Sequence, residues 1–258
     1  MFIRVNPWQK KGFPVRVIRA HVDAPLAVGA RVALPEGAAA HLLRVLRLGV
    51  GDGCVLFNGD GHDYDARIVA AGKRGGEAEV TGRRAVDNES PLRIVLVQGI
   101  ARGEKMDWIL QKATELGVAG FVPVGSERSE VRLQGERAAR RCEHWRSVVV
   151  SACEQSGRAR VPDIAAPQGL AAALAALPAD SLRLTLDPEA EAGIAALPAP
   201  GDRTLVLAIG PEGGWSPRDR ETLSAAGFTG QRLGPRILRT ETAGMAAIAA
   251  LQSKYGDL

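Results

Sequence analysis

The feature of the sequence that most constrains its fold is a pair of apolar stretches near the C-terminal end, each of which stops at Gly-Pro. One stretch covers residues 205–209 and leads into a glycine-rich loop at 210–216, and the other reaches Leu233 and leads into a loop at 234–239. Apolar runs of this length that end at glycine and proline predict buried strands followed by tight loops. Two such loops from one sheet can hold a small ligand through their main-chain amides, so the pair predicts a binding site.

The first loop also carries a helix-start signal. Ser216 is a good N-cap, Pro217 suits the first helical position and Asp219 places a carboxylate at the third. Gly210 and its neighbours provide positive φ and room for a ligand to approach the backbone. The loop has no Lys-Ser/Thr after its glycines and does not read GxGxxG, so it matches neither a triphosphate loop nor a dinucleotide fingerprint. Either loop alone is equally compatible with an ordinary strand-to-helix turn.

Residues from Pro91 onward alternate between strand and helix patterns, which predicts an α/β domain with a parallel sheet. The predicted strands before the two signature stretches lie at residues 92–100, 120–124 and 182–186. Apolar positions at helical spacing predict helices at residues 105–116, 134–156, 169–177 and 240–255. Glycines at 117 and 157 are expected to end the first two of these helices.

The N-terminal third reads as short strands at residues 31–34, 54–57, 64–71 and 77–83, which suit a small, partly open β-barrel. One helix is predicted at residues 36–48, with one side buried by Leu42, Leu43, Val45, Leu46 and Leu48. His41, Arg44 and Arg47 follow one another at spacing three on another side. That side is either a phosphate-contacting edge or a solvated helix face. A polar, proline-terminated stretch at 87–91 marks the expected linker.

Composition narrows the class of protein. A formal net charge of +4 and a pI near 9.2 permit a polyanionic partner. Three cysteines without a CxxC pair indicate a reducing, cytoplasmic compartment. Four scattered histidines show no metal-ligand spacing, so no metal site is predicted. The chain has no apolar run of membrane length, and its first eleven residues lack an apolar h-region, so we expect no signal peptide and no membrane partner.

In combination the motifs resemble the SPOUT class of RNA methyltransferases. IGPEGGWSPRDRE followed by LGPRILRTETAGMAAIAALQ is most similar to the RsmE family, which methylates N3 of a uridine in bacterial 16S ribosomal RNA. Stretches HLLRVLR from His41, RGEKM from Arg102, QKATELG from Gln111, SER at 126–128 and ACEQ with GR at 152–158 agree with that family, as does the terminal GDL. Ser156 and the Ala-Gly-Met at 243–245 depart from the pattern that we expect.

The resemblance implies a PUA-like RNA-binding β-barrel in residues 1–88 and a SPOUT domain in residues 89–258. It implies a deep C-terminal trefoil knot, a homodimer, S-adenosyl-L-methionine as cofactor, and 16S ribosomal RNA within the small ribosomal subunit as substrate. A SPOUT enzyme acting on another RNA nucleotide, or a non-catalytic RNA-binding protein, remains the alternative. A metabolic enzyme acting on a nucleotide phosphate is disfavoured, because the chain lacks a Walker lysine and metal-ligand clusters.

The same resemblance assigns roles to individual residues. The implied cofactor-binding residues are Leu186, Ile209, Gly210, Gly213, Gly214, Leu233, Gly234, Pro235, Ile237, Leu238 and Thr240. The implied RNA-binding residues are His41, Arg44, Arg47, Lys105, Arg128, Arg158 and Arg236. Arg239 and Arg102 are candidates for stabilising charge on the uracil oxygens, and Glu241 or Glu212 for the base. For Glu241, a role in complementing the helix dipole is favoured over that of the base.

Overall fold

The computed structural model describes residues 17–72, 75–130, 133 and 135–258. The chain divides into two compact units, Met1–Asp87 and Asn88–Leu258, and the division falls within the predicted linker.

The N-terminal unit is built on a five-stranded mixed sheet. Its strands are β1 (Arg19–His21), β2 (Arg31–Ala33), β3 (Gly53–Phe57), β4 (His62–Gly72) and β5 (Gly75–Ala85). The strand order is β1-β3-β4-β5-β2, in which β1 and β3 are parallel and the other pairs antiparallel. The four predicted strands are confirmed, whereas β1 was not predicted. Leu42, Leu56, Tyr64 and Ile68 pack in the core.

The helix of this unit differs from the prediction. It is α-helical only over α1 (Glu36–Ala39) and continues as a π-helix over Ala40–Val45. The predicted burial of Val45 and Leu46 is wrong, since they are 68% and 38% exposed. The wider π turn carries Val45 away from the face that Leu42 buries, and regular helical periodicity fails there.

The C-terminal unit is a seven-stranded parallel sheet with helices, which confirms the predicted α/β class. Its strands are β6 (Ile94–Gly99), β7 (Gly120–Gly125), β8 (Asp163–Ile164), β9 (Gln168–Gly169), β10 (Ser181–Leu186), β11 (Thr204–Ile209) and β12 (Thr229–Gln231). The order is β12-β10-β11-β6-β7-β8, and β9 also pairs with β7. The helices are α2 (Lys105–Glu115), α3 (Gly135–Ser156), α4 (Leu170–Ala175), α5 (Pro217–Ala225) and α6 (Thr240–Tyr255), with a 3₁₀ turn at Ile194–Ala196.

The predicted helix boundaries follow from local chemistry. Ser216 accepts a hydrogen bond from the backbone N–H of Asp219, whose carboxylate accepts one from the N–H of Ser216, so α5 begins with a complete capping box. Gly117 and Gly157 have φ of 83° and 85° directly after α2 and α3, as expected of glycines that end helices. In the described part of the chain, no helix is long and apolar enough to cross a membrane.

The sheet order explains why the two signature loops meet. β11 lies between β6 and β10, and β12 lies on the other side of β10, with all four strands parallel. Their carboxyl ends therefore face the same edge of the sheet, where ligands of open α/β sheets bind.

Candidate functional site

A cleft of about 530 Å³ opens at this edge of the sheet. It is lined by the ends of β10, β11 and β12, by the two loops that follow Ile209 and Gln231, and by the first residues of α6. Ten predicted cofactor residues line it: Leu186, Ile209, Gly210, Gly213, Gly214, Leu233, Gly234, Ile237, Leu238 and Thr240. Pro235 does not. Ile237 stands at the rim, where it is 85% exposed.

The glycine-rich loop packs backbone against backbone. Gly214 has φ of 65° and donates a hydrogen bond to the carbonyl of Pro211 at 2.8 Å. A Cβ on Gly210 would lie 3.1 Å from backbone atoms of Gly214. A Cβ on Gly99, at the end of β6, would lie 2.5 Å from Cδ of Pro211. Glycine is therefore required at 99 for the two strand ends to approach each other this closely, and a side chain at 210 would force the backbone at Gly214 to shift by a few tenths of an ångström.

Gln98 ties the segments of the cleft together. Its side chain is fully buried, and Nε2 donates to Oγ1 of Thr240 at 3.1 Å and to the carbonyl of Gly99 at 2.9 Å. Thr240 in turn donates to the carbonyl of Gly210 at 2.6 Å. One side chain thus links β6, the glycine-rich loop and the start of α6. Sequence reasoning missed Gln98; a polar residue inside the apolar strand run was the available signal.

Two further contacts hold the glycine-rich loop. The indole Nε1 of Trp215 donates to Oγ1 of Thr185 at 3.1 Å, and Trp215 is buried. On the other side, the guanidinium of Arg128 donates to the carbonyl of Gly213 at 3.0 Å. Arg128, which was predicted to bind RNA, is exposed, and through this hydrogen bond it also stabilises the loop.

Arg102 and Lys105 reach the cleft from the start of α2 and contact Glu212. The backbone N–H of Arg102 donates to Oε1 of Glu212 at 3.0 Å, and Nζ of Lys105 lies 3.3 Å from the same oxygen. Partial burial raises the pKa of Glu212, but these hydrogen bonds, with one from its own N–H, outweigh it and hold the pKa below the ordinary 4.5. A carboxylate in this state is a weak base.

Three charged residues of the second loop and α6 complete the cleft. Arg236 and Arg239 are exposed and form no ion pair within the described residues. Glu241 is only 9% exposed, and its Oε2 has no hydrogen-bond partner among the described residues. A buried acceptor without a partner in the protein calls for an explanation, and a ligand in the adjoining cleft would supply one.

Arg158, which the family resemblance assigns to RNA binding, does not line this cleft. It is only 4% exposed, its Nη2 lies 2.5 Å from Oε2 of Glu89, and Nη1 donates to the carbonyls of Thr114 and Val118 at 2.9 Å. The buried guanidinium therefore links the end of α2 to Glu89, near the start of the C-terminal unit.

The structure adds cleft residues that were not predicted. Asp187 directly follows β10, and its carboxylate pairs with Arg220 at 3.0 Å and accepts a hydrogen bond from the backbone N–H of Glu189 at 3.0 Å. Its own backbone N–H donates to the carbonyl of Gln231. Gln231 is buried at the end of β12 and its Oε1 has no partner among the described residues. Their positions at strand carboxyl ends were the signal available in the sequence.

The other predicted RNA-binding residues, His41, Arg44 and Arg47, are exposed on the N-terminal unit. Across the described residues, no group of three or more His, Cys, Asp or Glu is placed to hold a metal ion.

The fold corresponds to that of RNA methyltransferases. The family of RNA methyltransferase domains matches residues 88–252, and the family of RNA methyltransferase PUA domains matches residues 34–81. These matches place the protein in the class of RNA methyltransferases that carry a PUA domain.

Full-length relatives identify the family within that class. Ribosomal RNA small subunit methyltransferase E of Buchnera aphidicola is 32% identical over 243 residues, covering 94% of this chain and 98% of the relative. The crystal structure of the Neisseria gonorrhoeae methyltransferase E bound to S-adenosyl methionine has a TM-score of 0.86 and 40% identity, covering 94% of this chain and 99% of that one. A putative methyltransferase from Legionella pneumophila, in complex with the same cofactor, has a TM-score of 0.90 and 36% identity, covering 95% and 100%. The chain belongs to the ribosomal RNA small subunit methyltransferase E family, as the motif resemblance predicted.

Proposed function

We propose that this protein transfers a methyl group from S-adenosyl-L-methionine to N3 of a uridine in the 16S ribosomal RNA of the small subunit. The observation that carries the proposal is the cleft at the strand ends. There the two glycine-containing loops meet Arg236 and Arg239, which form no ion pair with any described residue, and Oε2 of Glu241, which has no hydrogen-bond partner among them. Membership of the family supports the same reaction class.

The cleft has the size and donor set that this cofactor requires. Its volume of about 530 Å³ falls in the usual range for small-molecule sites. The glycines at 210, 213 and 214 admit the methionine end against the backbone, and aliphatic Leu186, Leu233 and Leu238 face the adenine. Oε1 of Gln231, which has no hydrogen-bond partner among the described residues, is an acceptor for an amino group of the ligand. Pro235 is left with a backbone role in shaping the second loop.

The residues around the acceptor supply the rest of the chemistry. S-adenosyl-L-methionine contributes a methyl group on a positively charged sulfur, whereas uracil N3 carries a proton at neutral pH. In our proposal Oε2 of Glu241 accepts that proton, and the N3 lone pair then takes the methyl group while the bond from methyl carbon to sulfur breaks. Glu212 is disfavoured as the base because its pKa is lowered and Lys105 holds it.

Arginines stabilise the negative charge that spreads onto O2 and O4 of the uracil. Arg239 is exposed at the N-cap of α6 and lines the cleft, so it is free to donate to these oxygens. Arg102 also lines the cleft, but its guanidinium pairs with Glu130 at 2.8 Å. We therefore assign the larger share of this role to Arg239 and a smaller one to Arg102.

RNA binding and assembly follow from the same proposal. Lys105, Arg128 and Arg236 would hold phosphates near the cleft, and His41, Arg44 and Arg47 would do so on the N-terminal unit. Residues 1–88 then act as the PUA-like RNA-binding barrel, and 89–258 as the SPOUT domain with its trefoil knot, in a cytoplasmic homodimer. Sedimentation at working concentration tests the dimer, and an active monomer would contradict it.

Primer extension tests the reaction. Small subunits from cells lacking this protein are incubated with enzyme and cofactor, and new reverse-transcriptase stops are mapped. Since N3 lies on the Watson–Crick edge, we expect one new stop, at a uridine. A stop at another base would support the alternative of a SPOUT enzyme with a different target. No stop and no transferred methyl group would leave a non-catalytic RNA-binding protein.

A further inference from the structure

Exposed aliphatic side chains are concentrated in one short segment of the N-terminal unit. In the described part of the chain, eight large hydrophobic side chains are exposed, and three of them, Val45, Leu46 and Val50, lie within six residues. Val45 and Val50 are 68% and 66% exposed. Their neighbour Leu42 is fully buried, so the segment is anchored on one side and apolar on its outer side.

The backbone of this segment is unusual in two ways. The N–H of Leu46 donates to the carbonyl of His41 at 2.9 Å, five residues back, in a π-helical turn. Arg47 has φ of 58° and is the one non-glycine residue with positive φ in the described residues. Both conformations cost free energy relative to a regular helix and cluster at functional sites. Here they carry aliphatic side chains outward that a regular helix would bury.

Cations are interspersed with these aliphatic residues along the chain. His41, Arg44 and Arg47 are exposed, and within the described residues none of them forms an ion pair. We call this feature the basic-apolar surface and define it by His41, Arg44, Val45, Leu46, Arg47 and Val50.

Both halves of this surface match unpaired RNA. Unpaired cations complement phosphates, and they make an electrically neutral partner unfavourable. Aliphatic side chains have little to contact on an RNA duplex, whose bases are stacked inside, whereas unpaired bases expose their faces. Resting on the proposed function, we propose that the basic-apolar surface binds an unpaired stretch of the RNA substrate, with the cations on phosphates and Val45, Leu46 and Val50 against splayed bases.

Binding of the full-length protein to two RNAs tests this proposal. One probe is an unstructured uridine-rich oligonucleotide, and the other is a duplex with the same number of phosphates. We expect Val45→Ser with Val50→Ser to weaken binding to the unpaired RNA on the order of tenfold, with an unchanged salt slope and unchanged duplex binding. Arg44→Gln should weaken binding to both RNAs and lower the salt slope by about one.

The matched control is Val28→Ser, because Val28 is 58% exposed in the same unit but lies outside the surface. It should change neither affinity. Equal loss on both RNAs, or no loss in the valine double variant, would overturn the proposal. So would a change in sedimentation of that variant without RNA, which would show that a second copy covers the surface. A separate assay of methyl transfer distinguishes failure of the proposed reaction from failure of this surface. If the protein binds unpaired RNA selectively but forms no 3-methyluridine, the proposed reaction is refuted and the surface proposal stands.

Discussion

Gln98 offers the sharpest test of how the cleft is held together. Replacement by Met keeps the side-chain volume but removes the hydrogen bonds to the carbonyl of Gly99 and to Oγ1 of Thr240. Each buried bond lost costs about 1–2 kcal/mol, so the variant should lose about 2–4 kcal/mol of unfolding free energy. Because Thr240 also binds the carbonyl of Gly210, the glycine-rich loop should shift and cofactor affinity should fall on the order of tenfold.

Gln252 provides a matched control. It is also fully buried, and it makes two hydrogen bonds, to the carbonyl of Leu116 at 2.9 Å and from Oγ of Ser90 at 2.6 Å. It lies twelve residues beyond Thr240 on α6, about 18 Å along the helix axis. Gln252→Met should therefore cost similar stability in urea denaturation but leave calorimetric cofactor affinity unchanged. Equal affinity in the two variants would refute the linking role of Gln98.

Three further results are expected. Arg158→Met should lower the unfolding free energy by about 3 kcal/mol or more, because it breaks the buried pair with Glu89, yet leave RNA affinity of the folded protein unchanged in filter binding. Since the pKa of Glu212 is lowered, its stabilising contribution should be complete above pH 4.5 and vanish as the pH falls through its folded-state pKa; urea titrations of Glu212→Gln should lack this loss. Burial raises the pKa of Cys54 to about 11, and it also raises the pKa of Cys142, but the Cys142 thiol is only half-buried; iodoacetamide at pH 8 should therefore alkylate Cys142 before Cys54, as followed by peptide mass analysis; faster labelling of Cys54 would contradict its burial.

Features with local causes were predictable from the sequence. The bounds of α6 and the capping box of α5 follow from side-chain types at fixed spacing, and glycines at 117 and 157 mark helix ends wherever the rest of the chain lies. For the sheet, the sequence predicts that the strands are parallel but not the order in which they lie. The cofactor residues gathered because strand ends of a parallel sheet share an edge, a rule of topology that the alternating pattern already implies.

Features that depend on distant partners could not be predicted. Arg158 looked like a surface cation, and its burial depends on Glu89, 69 positions earlier, and on two carbonyls of another helix end. The widened turn before Arg47 is invisible to a periodicity argument, because the same residues fit a regular helix. Gln98 is recognisable in the sequence only as a polar residue within an apolar strand. Its linking role depends on the hydrogen bond to Thr240, which is 142 positions later in the chain.

Nucleoside analysis of the methylated RNA tests the central claim most directly. Small subunits from cells lacking the protein are treated with enzyme and isotopically labelled cofactor, and digested RNA is compared with authentic 3-methyluridine by chromatography and mass analysis. We expect one label per subunit, as 3-methyluridine. We also expect the Arg239→Ala variant to be slower on the order of a hundredfold while it binds the cofactor with unchanged affinity. Label on ribose, on C5 of uracil or on another base would contradict the proposed reaction.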